Sequence, residues 1–277
     1  LIAQAAGISV AALAARWNAT PGSELKVTPE IFVRTHVPVE LKSLQLAGRP
    51  VPTGPLPFNE SRLPAVTVPI PASAPYTQPY WLTRPPQGDT YDVADPALLG
   101  LADHPPIFTL RATLALAGTE IEIERPVRFR YVDRVRGELT RPVVVAPPVA
   151  IRLAERSLVF PSATARPVEA ELRTIQATGS AAVRFSPPAG WTADPPRRDV
   201  PLPAAGQQTM LSFSLQPDGP GTATIRAAAD LNGQAINSGM TVIDYPHIPA
   251  QVLFPPAEAR LVRADIARLP LPDAVAD

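Results

Sequence analysis

Residues 107–131 read IFTLRATLALAGTEIEIERPVRFRY, and this stretch decides the fold class. Apolar and polar side chains alternate along it with a period of two, on both sides of a turn around Ala117-Gly118-Thr119. The apolar set is Phe108, Leu110, Ala112, Leu114, Leu116, Ile121, Ile123, Val127, Phe129 and Tyr131. Such alternation is typical of two paired β-strands that bury one face. Arg125-Pro126 interrupts the second strand, where we expect a bulge or an edge position.

A second hairpin is predicted at 222–243. Its first strand carries alternating apolar residues, and Asn232-Gly233 supplies the positive φ angles of a type I′ turn. Its return strand would place Ile236, Met240 and Val242 on one face. Further strands are predicted at 24–34, 38–47, 64–71, 149–160, 167–176 and 208–216. Short strands separated by turn residues favour β-sandwiches over βαβ units.

The composition supports an all-β fold. Proline accounts for 37 of the 277 residues, and proline is excluded from helix interiors but tolerated in turns and at strand edges. Hydrophobic residues make up 45% of the chain, which is enough to build cores. The sequence therefore predicts two immunoglobulin-like, antiparallel β-sandwich domains in tandem, with helix confined to residues 1–8 and the C-terminal tail.

The chain is long enough for two domains of ordinary size. The charged, glycine-ending segment within 133–142 follows a complete predicted strand, so we expect the boundary there. The first domain would span residues 1–136 and contain a proline- and aromatic-rich loop at 75–93. An immunoglobulin-like sandwich would span 137–256. Residues 257–277 would form a tail or the start of a missing domain.

Charge and cysteine content exclude several classes of function. There are 25 basic and 25 acidic residues, and we find no basic patch of the kind that nucleic-acid-binding proteins carry. The absence of cysteine excludes disulfides, thiolate metal sites and cysteine nucleophiles. Residues 1–15 are uncharged but fall short of the ~20 residues that a membrane-spanning helix needs. We expect neither nucleic-acid binding nor membrane insertion.

No catalytic or metal motif is recognisable. The three histidines, His36, His104 and His247, are far apart and have no metal-ligand spacing. Glu120, Glu122 and Glu124 alternate along a predicted strand, which indicates a solvated face. There is no nucleophile elbow, phosphate-binding loop or dinucleotide fingerprint. We therefore expect no enzymatic activity and no cofactor for this chain on its own.

One segment is unusual in its aromatic content. Residues 75–93, PYTQPYWLTRPPQGDTYDV, combine Tyr76, Tyr80, Trp81 and Tyr91 with prolines. These rings could form a platform on which sugar rings stack. They could equally close one end of the first sandwich, because Tyr and Trp bury a large area and keep a polar handle. The second interpretation is the stronger one, since a long proline-rich loop needs buried anchors. Trp191 is predicted to be a core residue at a strand start.

Several segments together resemble a known family. They are ATPGSELKV at 19–27, VPVELKSLQL at 37–46, PYTQPYWL at 75–82, VRFRYVDRVRGEL through RPVVVAPPV at 127–149, and IDYPHIPAQVLFPPAEARLVRADI at 243–266. In this order they resemble the region that follows the catalytic domain in long bacterial PIG-L/LmbE-type deacetylases. The second unit, with PPAGW and a Gly-x-Ala-x-Ile hairpin, is similar to NEW3-type immunoglobulin-like modules found beside carbohydrate-active catalytic domains.

The resemblance implies a parent enzyme but transfers no catalytic residue. Enzymes of this family are zinc hydrolases that deacetylate N-acetylated amino sugars, with a Pro-His-Pro-Asp-Asp metal motif in the catalytic domain. Pro246-His247-Ile248-Pro249 lacks the aspartates. The expected role is a non-catalytic accessory or interaction region whose partner is the catalytic domain of the same parent chain. The resemblance also favours a periplasmic or secreted location.

Two alternatives stay open on the sequence alone. A carbohydrate-binding module would use the aromatic loop to dock the parent enzyme on glycan. An adhesin-like surface structural protein would have no catalytic domain encoded in the same reading frame.

Overall fold

The computed structural model of the chain describes residues 2–84 and 86–263, whose regular secondary structure is almost entirely β-strand. The chain forms two compact units. Among the described residues, the first contains those up to Ala146 together with Val242–Leu253, and the second contains Pro147–Thr241 and 254–263. The predicted fold class, all-β with β-sandwich domains in tandem, is confirmed.

The first unit opens with a short helix, α1 (Ile2–Ala5), within the predicted 1–8. Its strands are β1 (Ile8–Ala14), β2 (Asn18–Ala19), β3 (Glu24–Val33), β4 (Val39–Leu46), β5 (Arg49–Pro50), β6 (Val66–Pro69), β7 (Thr109–Leu116), β8 (Thr119–Asp133), β9 (Gly137–Pro142) and β10 (Val144–Val145). Two single-turn 3-10 helices, Tyr80–Leu82 and Pro96–Leu98, lie between β6 and β7.

Strand β8 connects the strands of the first unit. The hydrogen-bonded order is β5-β4-β7-β8-β1-β3-β6, with β9 also on β8. The first half of β8 pairs with β7 as far as Thr109↔Pro126, and the second half pairs with β1 and β9 from Val127 onward. Arg125-Pro126 therefore marks the place where the strand changes partners. Proline suits this position, because it cannot donate to a ladder on either side.

The core of the first unit comes from the predicted alternation. Leu110, Ala112 and Leu114 of β7 are fully buried, and Ile123 and Val127 of β8 join the same cluster. The β7–β8 turn is made by Ala117 and Gly118, both with positive φ. Burying one face of each strand stabilises the unit by roughly 25 cal/mol per Å² of apolar surface removed from water.

The second unit packs two sheets around a separate core. Its strands are β11 (Val149–Leu153), β12 (Ser157–Phe160), β13 (Arg166–Thr174), β14 (Ser180–Ser186), β15 (Trp191–Asp194), β16 (Arg197–Pro201), β17 (Gln208–Pro217), β18 (Gly221–Leu231), β19 (Gln234–Ile236) and β22 (Glu258–Arg263). One sheet has the order β11-β13-β17-β15, and the other has the order β12-β22-β18-β14-β16 with β19 on β18. Trp191 opens β15 and lies in this core, as predicted.

Two predicted strands are wrong in detail. The predicted strand 149–160 is two strands, β11 and β12, separated by a short turn at 154–156. The predicted return strand of the 222–243 hairpin ends at Ile236. Beyond it, β20 (Thr241–Ile243) pairs with β21 (Gln251–Leu253) rather than with β18. The Asn232-Gly233 turn itself has the predicted positive φ angles.

The division into units differs from the predicted boundary at 133–142. Residues 137–142 form β9, which pairs with β8, so they belong to the first unit. The turn between them is ordered by Asp133, whose carboxylate accepts hydrogen bonds from the amides of Val135 and Arg136. These bonds lower the pKa of Asp133. A charged, glycine-ending segment thus marks a tight hairpin and not a linker.

The predicted tail also differs in its first part. Residues 258–263 form β22, which lies between β12 and β18 inside the six-stranded sheet. The rest of the tail in which helix was predicted, 264–277, lies outside the described residues. Among the residues that are described, no helix has the length and apolar character needed to cross a membrane.

We expect Leu261→Ala to destabilise the second unit by about 2–5 kcal/mol, the usual cost of a leucine-sized core truncation. Leu261 has no exposed surface and pairs with Leu158 and Ala223 on either side. Leu99→Ala is the matched control, because Leu99 is 62% exposed and should change stability by less than about 0.5 kcal/mol. Denaturant unfolding measures both. Equal stability of the two variants would show that β22 is not an integral strand.

Candidate functional site

The aromatic segment 75–93 lies in the first unit and is anchored near its start. The Thr77 amide donates to the Val145 carbonyl oxygen at 2.9 Å, and the Val145 amide donates to the Thr77 hydroxyl at 3.0 Å. Tyr76 is partly buried and packs against the core of this unit. Its burial raises the pKa of the Tyr76 phenol. The beginning of the segment is therefore part of the sandwich.

Tyr80 is the second anchor. It begins the 3-10 helix Tyr80–Leu82 and is only 8% exposed. Its hydroxyl donates to the Leu101 carbonyl oxygen at 3.0 Å, and the Thr83 hydroxyl donates to the Tyr80 carbonyl oxygen at 2.9 Å. A ring this deeply buried has no free face for a ligand, so Tyr80 holds the segment in place.

The remaining two rings are more accessible than Tyr80. Trp81 is half-buried and meets Tyr80 edge-on, with ring centroids 4.8 Å apart and an interplanar angle of 90°. Tyr91 is 56% exposed. It follows the Gln87/Thr90 bridge, close to an ion pair of 2.6 Å between Arg84 and Asp92. The structure thus brings Tyr80 and Trp81 together at right angles rather than in one plane. Of the predicted platform, Tyr76 and Trp81 are partly accessible and Tyr91 is exposed, and sugar binding by these rings stays a prediction.

Each histidine has a local contact that sequence reasoning did not identify. His36 stacks on Phe58 with centroids 5.1 Å apart, and His247 stacks on Tyr245 at 5.8 Å. The His104 ring nitrogen Nδ1 lies 2.8 Å from the Pro105 carbonyl oxygen. All three are exposed, as predicted. Within residues 2–84 and 86–263, no three His, Asp or Glu side chains are grouped so that they could hold a metal ion.

The acidic ladder is a solvated strand face, as predicted. Arg111 on β7 reaches across to Glu122 at 3.1 Å and to Glu124 at 3.0 Å on β8. These carboxylates raise the pKa of Arg111. Cross-strand pairs of opposite charge contribute about 0.2–1 kcal/mol each and support the register of the hairpin.

Comparisons with known proteins give little guidance. No protein-family profile and no curated protein sequence matches this chain. Among solved structures, Salmonella alpha-2-macroglobulin reacted with methylamine aligns with a TM-score of 0.29 and 13% identity, over 92% of this chain and 16% of that one. The chain thus spans about a sixth of that protein. A Porphyromonas gingivalis protein of unknown function aligns with a TM-score of 0.23 and 12% identity, over 92% and 99%.

We expect Tyr80→Phe to destabilise the first unit by about 0.5–1.5 kcal/mol, because it removes one hydrogen bond and leaves the Leu101 carbonyl without that donor. Tyr91→Phe is the matched control, since it deletes the same atom from an exposed ring. Thermal unfolding of the two variants measures the difference. A Tyr91→Phe variant that loses as much stability as Tyr80→Phe would contradict the anchoring role.

Proposed function

We propose that this chain is a non-catalytic accessory region of a bacterial PIG-L/LmbE-type deacetylase. The main support for the proposal is that polar side chains form cross-strand ion pairs and local contacts. Carboxylates such as Glu122 and Glu124 pair across strands, and the three histidines stack or bond locally. The side chains best suited to chemistry are thus engaged in maintaining strand faces and turns. Together with the sequence resemblance, this favours a structural or interaction role.

The partner in this proposal is the catalytic domain of the same parent chain. Two sandwiches with separate apolar cores can space, orient or stabilise a neighbouring domain. The deacetylation itself would belong to the catalytic domain. The resemblance to exported members of the family carries the further proposal of a periplasmic or secreted location.

The complete reading frame that encodes this chain provides the test. We expect it to encode a zinc-hydrolase domain with the family's metal motif. Expression of that protein with and without residues 2–263 should give equal zinc content and a lower melting temperature for the shortened form. The isolated chain should purify without stoichiometric zinc and release no acetate from N-acetylglucosamine derivatives.

Two results would contradict this proposal. A reading frame without a hydrolase domain would favour the adhesin-like alternative. Zinc-dependent acetate release by the isolated chain would show that it has a catalytic site of its own.

Glycan binding is the second candidate, and the exposure of Tyr91 favours it. An aromatic ring that presents a free face can stack on a sugar ring, and Trp81 lies in the same segment with part of its surface accessible. This function would dock the parent enzyme on its polymeric substrate. It would add to the accessory role rather than replace it.

We expect weak binding of peptidoglycan or chitin fragments, with a Kd of about 1 mM, which corresponds to about −4 kcal/mol. Trp81→Ala and Tyr91→Ala should each reduce the response in a calorimetric titration. Tyr245→Ala is the matched control, because Tyr245 is similarly exposed but lies outside the segment. If all three variants bind as the unaltered chain does, or if the unaltered chain does not bind, glycan binding is contradicted. The accessory role then remains the only proposed function.

A further inference from the structure

A cleft of about 430 Å³ opens in the second unit. Its volume lies within the range of about 300–1,000 Å³ that small-molecule sites occupy. One wall is the short turn at 154–156 between β11 and β12, and another is formed by β18 and β22. Pro255 and Pro256 line a further side, together with residues 239–241.

Backbone hydrogen bonds hold these walls in place. The Arg260 amide donates to the Arg156 carbonyl oxygen at 2.9 Å, which joins the turn to β22. The Gly239 amide donates to the Pro255 carbonyl oxygen at 2.8 Å. A cleft framed by main-chain bonds is largely formed before a ligand arrives, so little ordering is needed on binding.

Three arginines line the cleft, and one of them is already neutralised. Arg152 donates through Nε to Glu171 at 3.0 Å and through Nη2 to the same carboxylate oxygen. These two bonds leave Nη1 of Arg152 unengaged by Glu171. Because the Glu171 carboxylate is nearly buried, it fixes the orientation of the Arg152 guanidinium on the cleft wall.

The carboxylates around the cleft are paired elsewhere. Glu258 lines the cleft but accepts from Arg226 at 3.3 Å, and Glu155 in the turn accepts from Arg166 at 3.0 Å. Within residues 2–84 and 86–263, no carboxylate lies within ion-pair distance of Arg156 or Arg260. Two guanidinium charges therefore line one concave surface without a carboxylate partner among the described residues.

Such an arrangement suits an oxyanion. A guanidinium presents its donors in a planar fork that matches a carboxylate or a phosphate, and charges of one sign in a cleft concentrate counter-ions there. Thr224, the register partner of Arg260 on β18, also lines the cleft and adds a hydroxyl donor. Proximity of like charges opposes folding, and a bound anion relieves it.

We propose that this cleft is a binding site for a small molecule carrying a carboxylate or phosphate group, held by Arg156 and Arg260 with the Thr224 hydroxyl. Arg152 is a positioning and secondary donor residue on its wall. The site goes beyond the accessory role proposed above and stands without it, because it depends on the second unit alone.

Calorimetric or NMR titration of the full chain tests the site, with inorganic phosphate and glucuronate as probes and glucose as the uncharged control. We expect saturable binding of at least one anionic probe and none of glucose. Binding should weaken steeply with added salt, since the interaction is between charges near the surface. Binding of phosphate alone would show that the cleft accepts phosphate groups. Binding of glucuronate as well would show that it also accepts carboxylates.

Variants locate the site. Arg156→Gln and Arg260→Gln should each weaken binding at least tenfold, and the corresponding lysine variants should weaken it less, because lysine keeps the charge but loses the fork. Arg134→Gln, which removes an exposed arginine from the β8–β9 turn, should bind as the unaltered chain does. All replaced side chains are exposed, so matching melting curves are expected and confirm that each variant is folded.

Two outcomes would overturn the proposal. One is the absence of saturable binding for both anionic probes at low salt. The other is equal binding by folded Arg156→Gln, Arg260→Gln and Arg134→Gln variants, which would assign the response to diffuse surface charge.

Discussion

The first unit depends on a single strand that serves two sets of partners. Over its first half β8 pairs with β7, and over its second half it pairs with β1 and β9. Side chains along a strand alternate between faces, so a slip of one residue would turn the apolar set of β8 away from the core. Ile123 and Val127 are buried on either side of Arg125-Pro126. The alternation is therefore maintained through the partner change.

The second unit has a different constraint, because one of its interior strands comes late in the sequence. Strand β22 lies between β12 and β18, although it follows them in sequence. The sheet is complete only when the chain returns after β20 and β21. Leu261 then packs in the core and Arg260 faces the cleft. The same strand thus completes the core on one face and presents the Arg260 guanidinium on the other.

The aromatic segment illustrates how a proline-rich loop is held without regular structure. Thr77 bonds to the backbone of Val145, and Tyr80 is buried with its hydroxyl on Leu101. Between and beyond these anchors, Trp81 and Tyr91 keep accessible surface. Both interpretations of the segment therefore have a physical basis in different residues. Tyr80 fits the anchoring interpretation, and Tyr91 is the residue on which glycan binding depends.

Local patterns in the sequence were sufficient for many of the strands and for much of the core, although β1 and β14 were not predicted. The alternation at 107–131, the Asn232-Gly233 turn and the placement of Trp191 were predicted because each depends on neighbouring residues or on side-chain hydrophobicity. The exposed histidines and the solvated glutamate ladder were predicted for the same reason. Polar residues that lack the spacing of metal ligands usually lie at the protein surface, for example on the solvent-exposed face of a strand.

Tertiary structure decided the features that join distant segments. The assignment of 137–142 to the first unit and of β22 to the middle of a sheet depends on strand pairing across the chain, which no local pattern encodes. The cleft likewise needs Arg156 and Arg260, about a hundred positions apart in sequence, to meet through one backbone hydrogen bond. By itself the sequence determined the strands with clear alternation and which of their faces are apolar. Only the folded chain decided which strands are neighbours, because hydrogen bonding between strands is independent of side-chain identity.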